Sequence, residues 1–311
     1  MNRIKSQLIT VLLLVVLIAG CNGTEEEVNF DSFIGGSQGV TVSFVEMRNE
    51  VFDGGEDPFD IIVKLENMGE TDVDLEDIQV RISGVRPEEF DKTVTQLTQN
   101  SPEDVVGARI DAQGNQLPGV PVLAEFTNLN HVGTIIGSSI DFPIRAEACY
   151  KYATQAVTKL CVRKNILNPS EGGLCEINEA KQVANSGSPI QIQNIKESGR
   201  GSKKIGFSFD VVHLGAGSPY TLGGSCERER VKNKVTITVD TKQAGLSCTG
   251  LGTQIGSSVS GEVTLFGGKK TISCSQEVDT TRDFEFAAGF NLGYNYLDSQ
   301  TMQLKVKKSR E

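Results

Sequence analysis

Cysteine is the residue type in this chain with the widest range of possible chemistry. The stretch CYKYATQAVTKLC begins at Cys149 and ends at Cys161, and such a pair could be a redox couple, two metal ligands or a disulfide. The cysteines beyond Cys21 show no Cys-x-x-Cys spacing and no nearby histidine, which argues against a zinc site. An even number of cysteines in an exported chain instead indicates disulfides, and it leaves their pairing open. These cysteines are Cys149, Cys161, Cys175, Cys226, Cys248 and Cys274.

Cys21 stands in a different context, after a basic and then an apolar segment. Arg3 and Lys5 precede an apolar run over 8–19, which is shorter than the roughly 20 residues of a membrane-spanning helix and fits a secretory signal. The sequence IAGC, ending at Cys21, resembles the lipobox of prokaryotic lipoproteins. That resemblance implies removal of residues 1–20 and lipidation of Cys21. The alternatives are an ordinary cleaved signal with a chance cysteine, or an uncleaved anchor.

Clustered carboxylates are the second candidate chemistry. The acidic loop DGGEDP contains Asp53, Glu56 and Asp57, whose oxygens are of the type that Ca²⁺ prefers. Such clusters are more often solvated surface, so we predict no metal and no cofactor and keep these three as candidate calcium ligands.

A polar insertion over 86–119 offers further acids for the paired-carboxylate chemistry of glycan hydrolysis. Its single aromatic residue is Phe90, whereas sugar-binding sites usually stack their ligand on several aromatic rings. We therefore predict that the protein is not an enzyme, with an exported glycan-acting enzyme as the alternative. The acids of the insertion considered for this role are Glu88, Glu89, Asp91, Glu103 and Asp104.

The composition and the hydrophobic pattern set the fold class. The chain has 30 basic and 40 acidic residues, a net charge of −10, which argues against a nucleic-acid partner. Valine, isoleucine, threonine and glycine are frequent, and apolar residues alternate with polar ones at the two-residue period of half-buried strands. The sequence therefore predicts an all-β protein. The sequence LFGGKKTI further predicts a two-residue turn at Gly267 and Gly268.

An internal repeat divides the chain. Residues 148–164 align without gaps on 292–308, and residues 59–69 follow the same alternation as 205–215. A duplicated β-domain accounts for both matches. The matched residues are Tyr150 with Tyr294, Tyr152 with Tyr296, Asn67 with His213, and Gly69 with Gly215.

We accordingly predict two tandem immunoglobulin-like β-sandwiches behind a signal peptide. The predicted segments are a signal peptide at 1–20, an acidic tether at 21–35, a first sandwich at 36–164 that contains the insertion, a linker at 165–187 and a second sandwich at 188–311.

Each copy is predicted to end in a hairpin, which in the first copy is centred on residue 155. That register places Cys149 opposite Cys161 on the outer face, with the tyrosines on the core face. The second copy has Gly293 and Lys305 at the two cysteine positions, and the joint absence favours a dispensable disulfide. The predicted pairs are Cys149–Cys161 and Cys248–Cys274, which leaves Cys175 and Cys226 to each other.

The sequence FDIIVKLENMGETDVDLEDIQVRISG, at 59–84, resembles the opening of bacterial and archaeal immunoglobulin-like surface domains of the CARDB kind. In those domains a strand, an Asn-x-Gly turn and a second strand recur. The overall plan resembles secreted archaeal lipoproteins, over most of residues 35–308. The resemblance implies a β-sandwich exposed at the cell surface, and it implies no reaction.

Together these features predict an exported protein that is lipid-anchored through Cys21 and faces the cell exterior or the periplasm. We expect a non-catalytic role in structure, adhesion or partner binding, with a protein or glycan partner at the cell surface. A subunit of a larger envelope assembly, paired through an exposed edge strand, is a further alternative.

Overall fold

The computed structural model describes residues 33–168 and 172–309 of the chain. The predicted signal peptide, Cys21 and most of the predicted tether lie outside the described residues. Within these two ranges the protein is all-β, as the alternation predicts, and its helical structure is confined to short 3₁₀ turns. These turns are Leu75–Asp77, Pro87–Phe90 and Glu229–Val231.

The strands, numbered β1 to β20 in chain order over the described ranges, are Val40–Val45, Glu50–Phe52, Phe59–Asn67, Ile78–Ser83, Thr98–Asn100, Arg109–Ile110, Gln116–Leu117, Val122–Leu129, Ser139–Val162, Ala180–Lys181, Val183–Asn185, Ile190–Gly201, Lys204–His213, Ser218–Tyr220, Lys234–Asp240, Leu246–Cys248, Thr253–Ile255, Ser258–Thr264, Lys269–Glu277 and Phe284–Lys307.

The strands form layered sheets around one core. A ten-stranded sheet has the order β17-β18-β15-β20-β9-β4-β5, with β2, β11 and β14 paired beside this path. A three-stranded sheet, β1-β3-β8, belongs to the first half of the chain, and a five-stranded sheet, β10-β12-β13-β19-β16, belongs to the second half. Strands β6 and β7 form a separate two-stranded sheet. Apolar side chains from the three larger sheets meet in a single buried cluster. This arrangement is that of a β-sandwich, in which each sheet buries one face.

Two long strands join the halves of the molecule. Strands β9 and β20 each contain 24 residues, and they pair antiparallel from Ser139 opposite Lys307 to Val162 opposite Phe284. From Ile144 to Val162, every even-numbered residue of β9 is buried, as the two-residue period of a strand requires. The ten-stranded sheet is therefore continuous between the halves of the chain.

Both predicted hairpins are wrong, because β9 runs straight through residue 155 and β20 runs straight through the matched position of the second copy. The local sequence ATQAV, at 153–157, contains no glycine, proline, asparagine or aspartate. Those are the residues from which tight turns are built, whereas threonine and valine favour extended backbone. The alternation that looked like two short strands belongs to one long strand.

The disulfide predicted between Cys149 and Cys161 is therefore wrong as well. The two residues lie on the same face of one strand, 12 positions and about 40 Å apart at the usual rise of a strand, so their sulfur atoms cannot meet. Cys149 is bonded to Cys226, and Cys161 is bonded to Cys175. These bonds also rule out the predicted pairing of Cys175 with Cys226.

The predicted pairing of Cys248 with Cys274 is confirmed. The two residues lie directly opposite each other on the neighbouring strands β16 and β19.

The turn at Gly267 and Gly268 is also present. Both residues have the positive φ angles, 60° and 78°, that such a turn requires. The strands that it joins do not form a long hairpin, however, since β18 belongs to the ten-stranded sheet and β19 to the five-stranded sheet.

Candidate functional site

Four tyrosines occupy the centre of the pairing between β9 and β20. Tyr152 lies opposite Tyr294, and Tyr150 lies opposite Tyr296, with ring centroids 6.3 Å and 5.8 Å apart respectively. All four side chains are buried, and burial raises the pKa of each phenol above its ordinary value. The phenols therefore stay protonated and act as hydrogen-bonding groups of the core, without acid–base chemistry near neutral pH.

In each half of the chain, one of these tyrosines is hydrogen-bonded to the end of a long strand and to the loop after it. These strands are β3 in the first half and β13 in the second half. The Tyr152 hydroxyl donates to Asn67 Oδ1 at 3.0 Å and accepts the Thr71 N–H at 3.4 Å. In the second half, Tyr296 Oη is bonded to His213 Nε2 at 2.9 Å and accepts the Gly217 N–H at 2.9 Å. The Tyr296 hydroxyl is thus engaged by both the backbone and the imidazole of this loop. Burial lowers the pKa of His213, in keeping with a neutral imidazole.

Two glycines make room for these hydroxyls. A Cβ on Gly69 would lie 2.2 Å from Tyr152 Oη, and a Cβ on Gly215 would lie 2.2 Å from Tyr296 Oη. The alignment of the two copies matches Gly69 with Gly215 and Asn67 with His213. The same close approach therefore occurs at the matched position of each half.

Residues 173–176, between β9 and β12, lie against the outer face at the end of β9. Cys161, predicted to lie on the outer face, and the neighbouring Arg163 are both buried beneath this segment. The Arg163 guanidinium donates to the carbonyl oxygen of Cys175 at 2.7 Å and pairs with Asp283 at 2.9 Å. A Cβ on Gly173 would overlap the guanidinium, so the segment lies directly on the arginine.

A buried carboxylate lies beside the disulfide of this segment. Both oxygens of Glu197 are 3.0 Å from the backbone nitrogen of Cys161, and Lys181 Nζ is 3.2 Å from one of them. Burial raises the pKa of Glu197 to about 7, against the opposing effects of the Cys161 N–H and Lys181. Glu197 thus titrates near neutral pH while its carboxyl group contacts the backbone of Cys161 and the side chain of Lys181.

Two of the three candidate calcium ligands, Asp53 and Asp57, are engaged by other partners. Asp53 Oδ1 accepts the Ser309 N–H at 2.7 Å and its Oδ2 accepts the Ile135 N–H at 2.9 Å. Asp57 forms a two-point ion pair with Arg48 at 2.8 and 2.9 Å. No group of three potential metal ligands converges among the described residues. Through Asp53 and Asp57 the acidic loop therefore organises the backbone around it. Asp53, Asp57, Glu56 and Lys307 line a cavity of about 830 Å³.

The polar insertion does not present a sugar-binding aromatic. Phe90 is fully buried, with its ring centroid 5.4 Å from that of His131 and 5.2 Å from that of Phe142. His131 is itself buried, and its Nδ1 has no hydrogen-bond partner. Asp104 accepts the backbone N–H of Leu75. The one aromatic residue of the insertion thus belongs to the core.

A shallow groove of about 470 Å³ crosses the outer face of the ten-stranded sheet in the second half. Its lining comes from four neighbouring strands and from Phe33, which stands at the end of the predicted tether. A smaller cavity of about 260 Å³ adjoins the Cys149–Cys226 disulfide and contains the Arg81–Glu147 ion pair. Sequence reasoning missed the groove, because residues far apart in sequence meet there only through strand order.

Comparisons with known proteins add little. No protein-family model matches the chain, and no curated protein matches it. The chain is similar at 8% identity to a solved structure, the secreted serine protease VesC from Vibrio cholerae, with a TM-score of 0.17. The match covers 87% of this chain and 52% of that one, so the chain spans about half of the protease's length. A likeness of this size carries no argument about fold or activity.

Two observations bear on the cellular compartment. The three disulfides are typical of an oxidising environment outside the cytoplasm. Over residues 33–168 and 172–309, no helix is long and apolar enough to cross a membrane.

Proposed function

We propose that the protein is a lipid-anchored component of the cell envelope with a non-catalytic role in structure, adhesion or partner binding. Its body would consist of two tandem immunoglobulin-like sandwiches held at the surface by lipidated Cys21. The observation that carries this proposal is that the potentially reactive side chains of the body named below have structural roles. The six cysteines of the body are disulfides, and Arg163, His213 and the four central tyrosines are engaged in packing and hydrogen bonds.

The lipid anchor is tested by comparing the wild-type chain with Cys21→Ser in membrane fractionation. Wild type is expected in the membrane fraction and, after detergent phase separation, in the detergent phase. Cys21→Ser is expected to be released or to keep its signal sequence. Cys226→Ser, which removes a cysteine of the body, serves as the control and should remain membrane-bound. A wild-type protein found wholly in the soluble fraction would contradict the proposal.

A second candidate is a subunit of an envelope assembly. It is favoured by a difference between the three-stranded and the five-stranded sheet, in which corresponding strands differ in whether both edges are paired. In the second half, β19 is flanked on one side by β13 and on the other by β16. In the first half, β8 occupies the end of its sheet and pairs with β3 alone. An edge strand of eight residues can accept an extended segment of another chain.

The test for this second candidate is chemical cross-linking in native membranes followed by co-purification. Cross-links from β8, for example from a photoreactive residue at Glu125, to another protein are expected. A photoreactive residue at Gln303, on β20, is the control. Equal cross-linking from both positions, or cross-linking from neither, would contradict the assembly.

A further inference from the structure

The outer-face groove has the features of a binding site for a neutral, hydroxyl-rich ligand. Three of its side chains form one row across three strands. Thr238 on β15 lies opposite Asn291 on β20, and Asn291 lies opposite Gln155 on β9. Directly opposed residues share a face of the sheet and stand about 5 Å apart. The strand order therefore sets three polar side chains side by side on one surface.

Two of these side chains have unused hydrogen-bonding capacity. Gln155 and Asn291 are exposed, and no described residue bonds either side-chain amide, whereas Thr238 Oγ1 is 3.0 Å from Ser260 Oγ. Each amide provides two donors and one acceptor. Sugar hydroxyl groups both donate and accept, so the two amides match adjacent hydroxyls of one ring or of two linked rings.

The charged residues of the lining neutralise each other. Asp240 pairs with Lys242 at 2.8 Å and accepts the Ser257 hydroxyl at 2.7 Å. Although burial acts to raise it, these hydrogen bonds hold the pKa of Asp240 at about 2. Asp240 therefore stays ionised and paired, and the groove favours an uncharged ligand over a nucleic acid or an acidic glycan.

The rest of the groove supplies an apolar floor and an aromatic wall. The Ala287 methyl group and the backbone of Gly289 form part of the floor, and Phe33 lies at the wall. The segment after Phe33 is held by Glu70, whose two oxygens accept the N–H groups of Ile34 and Gly35 at 3.0 Å each. The hydrogens on one face of a sugar ring are attracted to the negative face of an aromatic ring, so Phe33 is placed to stack a sugar.

The backbone of the floor disfavours a peptide as the occupant. An extended peptide gains affinity by pairing with a free strand edge, and here the floor strands β15, β20 and β9 are bonded on both sides within the sheet. A volume of about 470 Å³ falls in the usual range of ligand sites. We propose that this groove binds a neutral oligosaccharide, with Gln155 and Asn291 as hydrogen-bonding residues and Phe33 as the stacking residue. The inference deepens the adhesive role proposed above and rests on it.

The test uses the full chain, purified in detergent from membranes, on an array of neutral and acidic oligosaccharides of three to six units, followed by calorimetry. Binding to neutral oligosaccharides is expected, and acidic ones should bind more weakly. Phe33→Ala and the double variant Gln155→Ala/Asn291→Ala should each weaken binding at least about tenfold, the effect of losing one or two net hydrogen bonds or a stacking contact. Gln303→Ala, on the same face of β20 outside the groove, should bind like wild type.

Thermal unfolding of every variant checks that the fold is intact, since the substituted groups are at the surface. The inference is overturned if no neutral oligosaccharide binds, if acidic ones bind more tightly, or if the groove variants bind like wild type. Membrane fractionation reports on the anchor without any sugar. A membrane-bound protein without glycan affinity would therefore refute the groove and leave the proposed envelope location standing.

Discussion

Tyr152 of β9 and Tyr296 of β20 hold matched positions in the two halves of the chain, and the hydroxyl of each is bonded to the loop of its own half. Tyr152 reaches Asn67 at 3.0 Å, and Tyr296 reaches His213 at 2.9 Å. Because β9 and β20 run antiparallel, Tyr152 lies opposite Tyr294 and Tyr296 lies opposite Tyr150. The four rings therefore join two loops and two long strands at one place.

Removing either hydroxyl is expected to destabilise the fold. Tyr152→Phe leaves the Thr71 N–H without its acceptor, and Tyr296→Phe leaves both His213 Nε2 and the Gly217 N–H unpaired. Each change should lower the free energy of unfolding by about 1–3 kcal/mol, the cost of leaving a buried polar group unsatisfied. Urea unfolding measures the effect. Tyr220→Phe is the control, because no described residue bonds the Tyr220 hydroxyl, and an equal loss there would contradict the interpretation.

Adding one methyl group at either matched glycine should be costly. Gly69→Ala and Gly215→Ala each place a Cβ 2.2 Å from a tyrosine oxygen, and other close atoms restrict the adjustment. We expect a loss of about 1–3 kcal/mol or more, as for overpacked cores. Gly252→Ala is the control, since a Cβ there meets no atom within 4 Å. Thermal melts of the three variants should show a lower Tm for the first two alone.

The disulfide pattern predicts a definite peptide map. Non-reducing digestion with mass spectrometry should find Cys149 linked to Cys226 and Cys161 linked to Cys175. The first bond spans 77 residues and the second spans 14, so the first restricts the unfolded chain more. Replacing both cysteines of the first pair by serine should cost about 2–5 kcal/mol. A Cys149–Cys161 peptide in the map would contradict the continuous β9 strand.

The buried carboxylate of Glu197 predicts a stability that depends on pH. Its folded pKa of about 7 lies above the ordinary value of 4.5, so the folded chain holds the proton more tightly than the unfolded chain does. This stabilising contribution is fully present below about pH 4.5 and is lost as the pH rises through about 7. It amounts to at most about 3 kcal/mol.

The measurement compares wild type with Glu197→Gln in urea at about pH 5.5 and about pH 8. Other carboxylates titrate equally in both proteins, so the difference between the two isolates Glu197. Wild type should lose more stability than the variant on going to the higher pH. Parallel pH profiles for the two proteins would show that Glu197 does not titrate in this range.

The sequence predicts the strands well and their connections poorly. Alternation marks the stretches that form β3, β4, β8, β13 and β15, because the alternation itself arises from one buried face. The same alternation cannot tell a hairpin from one long strand. The only feature of the sequence that indicates a continuous β9 is the lack of turn-forming residues near Gln155.

The groove and the disulfides illustrate what a local pattern cannot contain. Cys149 meets Cys226 across 77 residues of chain, and Gln155 meets Asn291 only because β9 and β20 pair along their full length. The spacing of residues along the sequence predicts neither of these two contacts. By contrast, Cys248 and Cys274 flank a short β-rich stretch, and their pairing could be predicted from local strand order.

The 24-residue pairing of β9 with β20 also has a mechanical consequence. A strand of this length extends about 80 Å, and the hydrogen bonds of an antiparallel ladder lie across the strands. Tension applied along the strands therefore loads the whole ladder in shear, and the bonds have to fail together and not one after another. The junction between the halves of the protein thus resists stretching and bending in a way that a flexible interdomain linker cannot.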